Sequence, residues 1–432
     1  MSKIYVLVFA ILSIYLFSFS KKNGFVSKPL VALVEIKKES GRYQLLRNGE
    51  PYYIKGASAN NYYERLKQCG GNSIRLWSTD GAKEHLDKAY ELGLTVTLSL
   101  NMDIERHGFN YDDKNAVKVQ FEKLKKDILA FKDHPALLMW GVGNEADLFA
   151  TNYKVWNAVN DIAKFIHEVD PNHPTTTMLA GVPKKHIKEI VKHCPDLDIL
   201  TFNSFMDLPH IKDKIVDAGW VGPYLIGEWG ASGYWETPTT PWGAFIEETS
   251  TEKSLVCKER YDKAIVSNKD HCIGSYVYFW GYKQARTHTL LSLFLENGEE
   301  TGIVDVIQKE WTGKAPKNKA PLIAPIGIDD KTIQSGVYIK PSSNHNAYTE
   351  ASDPDNDQLE YKWEIYYEST EKKEGGDKEE KPGVIEGLIL NGKGKQLSFK
   401  APEKEGPYRL FVYVFDGNNN VATANAPFYV KE

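Results

Sequence analysis

From about Tyr52 to Gly281, short apolar or β-branched runs alternate with longer amphipathic stretches, the pattern of parallel strands joined by helices. Eight strand-like runs stand out: YYIKGAS from Tyr52, NSIRLW from Asn72, LTVTLSLN from Leu94, ALLMWGVGN from Ala136, TTTMLAG from Thr175, LDILTFNSF from Leu197, YLIGEWG from Tyr224 and IGSYVYFWG from Ile273. Between them, stretches such as AKEHLDKAYELG from Ala82 and YKVWNAVNDIAKFIHEV from Tyr153 place apolar residues three and four apart, and Gly93 and Pro171 stand where helices stop. Eight such units predict an α/β fold, a (β/α)8 TIM barrel over residues 45–315, with its active site at the C-terminal ends of the strands.

After the eighth run, LLSLFLENGEETGIVDVI predicts a return hairpin around Asn297 and Gly298, then a helix packed back on the barrel. TGKAPKNKAPLIAP from Thr312 lacks periodicity and is expected to be a linker. Alternating runs such as QLEYKWEIYY from Gln358 and YRLFVYVFDG from Tyr408 predict a small all-β sandwich over residues 322–432. Within it, EKKEGGDKEEKPG from Glu371 reads as a charged, solvated loop. Asp353, Asp355 and Asp357 could offer oxygen ligands to Ca2+, but Asp favours turns for its own reasons, so a turn before a strand is the preferred explanation and no metal is assigned.

Composition narrows the partner. The chain of 432 residues carries 53 basic and 58 acidic side chains, a net charge of −5, without a long basic run, so neither nucleic acid nor an anionic membrane has an electrostatic footprint. A neutral substrate fits better, and the 12% aromatic share supplies rings able to stack on sugars. The first residues, one Lys, an apolar run from Ile4 to Phe19 and the small-x-small pattern Ser18-Phe19-Ser20, predict a signal peptide over residues 1–20 and a secreted, periplasmic or cell-surface protein with no span after cleavage. An uncleaved anchor is the alternative. Cys69, Cys194, Cys257 and Cys272 are too scattered for a disulfide scaffold or a C-x-x-C metal site, and pairing of Cys257 with Cys272 stays open.

Two glutamates stand out by position. Glu145 in WGVGNEAD follows the fourth run and Glu228 in LIGEWG ends the seventh, so barrel geometry brings both to one mouth. One glutamate at a strand end usually makes an ion pair or caps a helix; a pair on strands four and seven suits the two carboxylates of glycoside hydrolysis. Gly and Trp box each one, surroundings that exclude water and raise a carboxyl pKa, as a general acid requires.

With NE after strand four and E at the end of strand seven, the barrel resembles the clan A retaining glycoside hydrolases. That resemblance implies Glu145 as general acid/base, Glu228 as nucleophile, Arg75 in SIRLW as a donor to the nucleophile, Asn144 as a contact of the sugar 2-hydroxyl, and Trp280 in YFWG as the floor of the cleavage subsite. NMDIERHGFNYDD from Asn101 and FWGYKQARTHTLLSLF from Phe279 resemble family 2 barrels, the latter placing Gln284 among the substrate contacts. A barrel followed by one immunoglobulin-like domain resembles glycoside hydrolase family 158, which implies cleavage of β-1,3-glucan. One departure is Phe205 in FNSF, where many such enzymes carry a tyrosine bonded to the nucleophile; Asn203 or another loop donor would then replace it, unless Asn203 is only a buried amide.

Loops add further candidates. Glu105, Arg106 and His107 after strand three can bond sugar hydroxyls, or form a solvated loop. GASGYWETPTTPWGAF after strand seven offers Tyr234, Trp235 and Trp242 as stacking platforms, or packs on itself. The leading expectation is a retaining endo-β-glucanase acting without a cofactor as a monomer on a polysaccharide or oligosaccharide; the alternatives are a β-glucan transglycosylase and a non-catalytic carbohydrate-binding or adhesion protein.

Overall fold

Eight parallel strands close a barrel in sequence order: Ile54–Ala59, Ser73–Leu76, Thr95–Leu100, Leu137–Asn144, Thr175–Ala180, Ile199–Asn203, Tyr224–Trp229 and Cys272–Trp280, the last pairing with the first. They are called strands one to eight below. This computed structural model describes residues 31–333 and 336–432, so the expected signal peptide lies outside the described residues. No helix among the described residues is long and apolar enough to cross a membrane.

The helices follow from local chemistry. The helix Lys114–Phe131 starts where Asp113 accepts the N–H groups of Asn115 and Ala116, and Ser250–Arg260 starts in a capping box between Thr249 and Glu252. Their apolar faces seal the outside of the strands in one continuous core, which includes Leu86, Leu124, Ile128, Val159, Ile162 and Ile166. The barrel interior is partly polar instead. Tyr276 reaches across it to Ser73 (2.8 Å) and Thr97 (2.6 Å), and Gly56 makes room, since a Cβ there would sit 2.3 Å from the Tyr276 ring.

A three-stranded antiparallel sheet, Val34–Glu39, Arg42–Arg47 and Glu50–Pro51, precedes the barrel and shares an apolar cluster with Ile54, Leu138, Ile199, Leu225 and Ile273 near the strands' N-terminal ends. The barrel therefore begins at Ile54 rather than 45. At the other end, the expected hairpin reduces to a turn closed by one bridge, Phe294 to Glu300, before the helix Gly302–Thr312. All four cysteines are buried and unpaired.

The C-terminal part is all-β, with two four-stranded sheets sharing one core around Trp363, Leu397, Phe399, Leu410, Val412 and Phe428. The linker expectation is corrected: Ala320 and Ile323 are buried, Leu322–Ile323 pairs with Ala351–Ser352, Ala320 N–H donates to Asp305, and Lys319 pairs with Asp355 at 2.7 Å. The reason is that the β-domain docks along the barrel. Arg409 Nη2 donates to Phe245 O (2.9 Å), His288 meets the Tyr413 hydroxyl (2.7 Å), and Val421 N–H donates to Glu300 O (2.9 Å).

The charged insert is also corrected. Residues 371–381 keep outer side chains such as Lys372, Lys378 and Glu380 exposed, yet the segment crosses the barrel mouth at the C-terminal ends of the strands, because Arg106 and Arg286 on barrel loops draw in its carboxylates. In the Asp-rich turn, Asp353 accepts the N–H groups of Asp355 and Asp357, the turn geometry expected for that residue type. Asp353, Asp357 and Asp416 bring carboxylate oxygens within 4.8 Å of one another. Asp416 is meanwhile engaged by Asn318, Asn418 and Asn420.

Candidate active site

Strand register sets the site. Gly143 in the left-handed region (φ 79°) turns the chain at the end of strand four, Glu145 follows at φ 49°, and its N–H is pinned to Met178 O at 2.9 Å. On strand seven, Gly227 precedes Glu228 because a Cβ there would lie 2.5 Å from Thr201 and 2.7 Å from Asn203. Both carboxyl groups then line one cavity of about 1320 Å3 at the C-terminal ends of the strands.

Arg75, fully buried on strand two, organises both sides. Its Nη1 donates to Glu228 Oε1 at 2.7 Å, and its Nη2 donates to Asn144 Oδ1. Asn144 also lines the cavity. Trp77, just beyond strand two, also donates to Glu228 Oε1, at 3.0 Å. Trp77 lies two residues after Arg75, and the period of two along a strand would have put it on the same face.

Asn203 is placed differently from expectation: its Nδ2 donates to Glu145 Oε1 at 2.8 Å rather than to Glu228. The donor beside Arg75 is Trp77, while Phe205 packs edge-on to Trp235 and Tyr278. Burial pushes the Glu145 carboxyl up to about 7, with the nearby Glu228 charge adding to the rise and the Asn203 hydrogen bond opposing it. Burial likewise pushes Asp147 up to about 8, although both its oxygens accept the Ala180 N–H.

Other candidates divide between cavity and scaffold. His107, Trp235 and Gln284 line the cavity, and neither amide atom of the buried Gln284 has a protein partner. Glu105 instead accepts from Thr151 and Asn152 outside the main cavity, holding two loops together. Trp242 packs on Tyr338 and Tyr429 of the β-domain, at 5.1 and 5.7 Å between rings, so it serves the interface. Trp280 is fully buried against Phe294, its indole donating to Tyr62 O. A register shift between Val277 and Trp280 re-aims the end of strand eight, so Tyr278 and Phe279 line the cavity in its place.

The closed eight-stranded parallel barrel with two glutamates at its mouth is similar to known glycoside hydrolases. Residues 86–289 match the model of the glycosyl hydrolases family 2, TIM barrel domain. The chain is 24% identical over 202 residues to a β-galactosidase of Thermoanaerobacter pseudethanolicus, covering 43% of this chain and 24% of that enzyme. It is 27% identical over 121 residues to a β-galactosidase of Arthrobacter sp., covering 26% of this chain and 12% of the other.

Among solved structures, a β-glucuronidase of an uncultured Clostridium sp. superposes with a TM-score of 0.51 at 17% identity, covering 66% of this chain and 54% of that one. A calcium-binding mutant of Bacteroides uniformis β-glucuronidase 2 reaches 0.52 at 12% identity, covering 93% and 48%. These likenesses show the fold. The chain spans about half of those structures and a quarter or less of the β-galactosidases.

Proposed function

We propose that this protein is a retaining β-glycosidase acting on a neutral β-glycoside, with β-1,3-glucan and its oligosaccharides as the first substrates to try. The observation that carries the reading is the unequal pair in one cavity: Glu145, whose buried carboxyl is pushed up to about 7, and Glu228, which receives the Arg75 guanidinium and the Trp77 indole on a single oxygen. In the first step Glu145 gives its proton to the glycosidic oxygen as Glu228 Oε2 bonds to the anomeric carbon and the C–O bond to the leaving group breaks. In the second, the Glu145 carboxylate takes a proton from water, whose oxygen displaces Glu228 from that carbon. Two inversions give net retention.

A neutral substrate is favoured over a uronide because Arg106, Lys373, Lys378 and Lys381 on the cavity wall already face carboxylates and Lys283 is held by a backbone carbonyl. Arg106 faces Asp377, Lys373 faces Glu371, Lys378 faces Glu380, Lys381 faces Glu296, and Lys283 donates to Gly376 O. The β-1,3-glucan choice rests on the layout of a barrel followed by one β-domain, and export rests on the N-terminal apolar run. Transglycosylation uses the same two carboxyl groups, with a sugar in place of water.

The test is a panel of aryl β-glucoside, β-galactoside and β-glucuronide with β-1,3-glucan, read by product chromatography and by proton NMR of the first-formed anomer. Expected are turnover of a neutral β-glycoside and a β-configured initial product. An α-configured initial product would mean inversion, and the uronide as the sole substrate would overturn the neutral-sugar reading.

A further inference from the structure

The segment 371–381 belongs in sequence to the β-domain, yet its contacts are with loops on opposite sides of the barrel mouth. On one side, after strand three, Arg106 Nη1 donates to Asp377 at 2.8 Å and to Glu374 O at 3.0 Å. On the other, after strand seven, the Tyr234 hydroxyl donates to Glu374 at 2.6 Å. After strand eight, Arg286 pairs with Glu379 and donates to Glu371 O at 2.7 Å, while Lys283 donates to Gly376 O at 2.9 Å. Strands three and seven stand four places apart in a ring of eight, so the segment spans the mouth.

The fit is close. Gly375 and Gly376 lie in the left-handed region (φ 61° and 78°), and a Cβ on Gly375 would meet Arg106 at 2.5 Å. Glu379 is only 5% exposed, anchored inward, while Lys378 and Glu380 on either side of it remain exposed. The same segment and both catalytic glutamates line one cavity.

We propose that residues 371–381 are a specificity-determining strap: contributed by the β-domain, it roofs the cleft and restricts the enzyme to short oligosaccharides and chain ends, excluding the interior of a polymer. The proposal rests on the glycosidase reading above and replaces the endo-acting expectation. A polymer bound at an interior linkage must leave the cleft in both directions, and a roof anchored at three loops obstructs its entry from above. An oligosaccharide or chain end enters from the side, where Trp235, 53% exposed at the cavity edge, offers a stacking face.

The experiment compares full-length wild type with two variants, one replacing residues 372–379 by a short Gly-Ser linker and one carrying Asp377→Ala, which weakens the Arg106 anchor by removing its carboxylate partner with little change in bulk while the Arg106 bond to Glu374 O remains. Each is assayed on aryl β-glucoside, on β-1,3-gluco-oligosaccharides and on the parent polysaccharide, with viscosity recorded beside reducing-end release. Expected for wild type is release of short products with little loss of viscosity. For the linker variant, the rate on polysaccharide relative to aryl glycoside should rise by at least about tenfold, with early viscosity loss, and Asp377→Ala should move the same way by less. An unchanged ratio in variants that still turn over the aryl glycoside would overturn the strap while leaving the glycosidase reading intact. Wild type inert on all three substrates would overturn the β-1,3-glucan reading and the strap's exclusion of that polymer with it.

Discussion

The indole N–H of Trp77 lies 3.0 Å from Glu228 Oε1, on the same carboxylate oxygen that receives Arg75 at 2.7 Å. Two donors on Oε1 orient the carboxylate and leave Oε2 for attack. Trp77→Phe keeps an aromatic ring, though a smaller one, and deletes one hydrogen bond to a charged group, which is worth about 1.5–3 kcal/mol. A fall in kcat/KM of roughly 10- to 100-fold is expected, carried mainly by kcat. A change confined to KM would make Trp77 a substrate platform instead.

Glu228→Ala is expected to abolish turnover. Glu145→Ala should retain slow cleavage of substrates whose leaving groups need no protonation, since mainly the base of the second step is then missing. Added azide should rescue that variant by attacking the glycosyl-enzyme without base help, giving a β-glycosyl azide. Azide rescue of Glu228→Ala through an α-azide, with Glu145→Ala unaffected, would reverse the two roles.

The pH dependence follows from burial. Glu145 must be protonated to act as acid, so kcat/KM should fall as pH rises through about 7. Asp147, pushed up to about 8 in the folded protein from an ordinary value near 3.8, favours folding fully below its unfolded pKa, and this contribution is lost as pH rises toward and through 8. Wild-type stability should therefore decline over that window by up to about 1.4 kcal/mol per pH unit from this one group. Asp147→Asn should flatten the decline in denaturant titrations at pH 5, 7 and 9. An identical slope in the variant would place the loss elsewhere, Asp305 and Glu145 both being raised to about 7.

A barrel truncated after Pro316 would expose Phe245, His288 and the buried Lys253–Glu247 pair beside Thr289, where the β-domain now packs. The expectation is a markedly lower Tm and weak or absent turnover, since the interface that buries these groups is lost. A truncated barrel with wild-type Tm and wild-type turnover on a soluble oligosaccharide would mean that the β-domain contributes neither to stability nor to the site.

The sequence by itself determined the barrel, its eight strands and the two glutamates at its mouth, because strand and helix periodicities are local and the ends of strands four and seven follow from counting units. Arg75 and Asn144 were legible for the same reason, each lying within a run whose position in the barrel was already known. Trp77 was within reach of the same logic, through its spacing from Arg75. Tertiary structure alone decided the rest. The aim of Trp280 depended on a register shift inside strand eight, and the Asn203 amide met Glu145 rather than Glu228. Trp242 went to the interface because a second domain lay beside its loop. The strap was the least legible of all: a run of Lys, Glu and Gly has the composition of a solvated loop, and only folding brings Arg106 and Arg286, about 85 to 270 residues away in sequence, to its carboxylates. Local pattern fixes which element a residue joins, whereas pairing of charges across the chain depends on which surfaces meet.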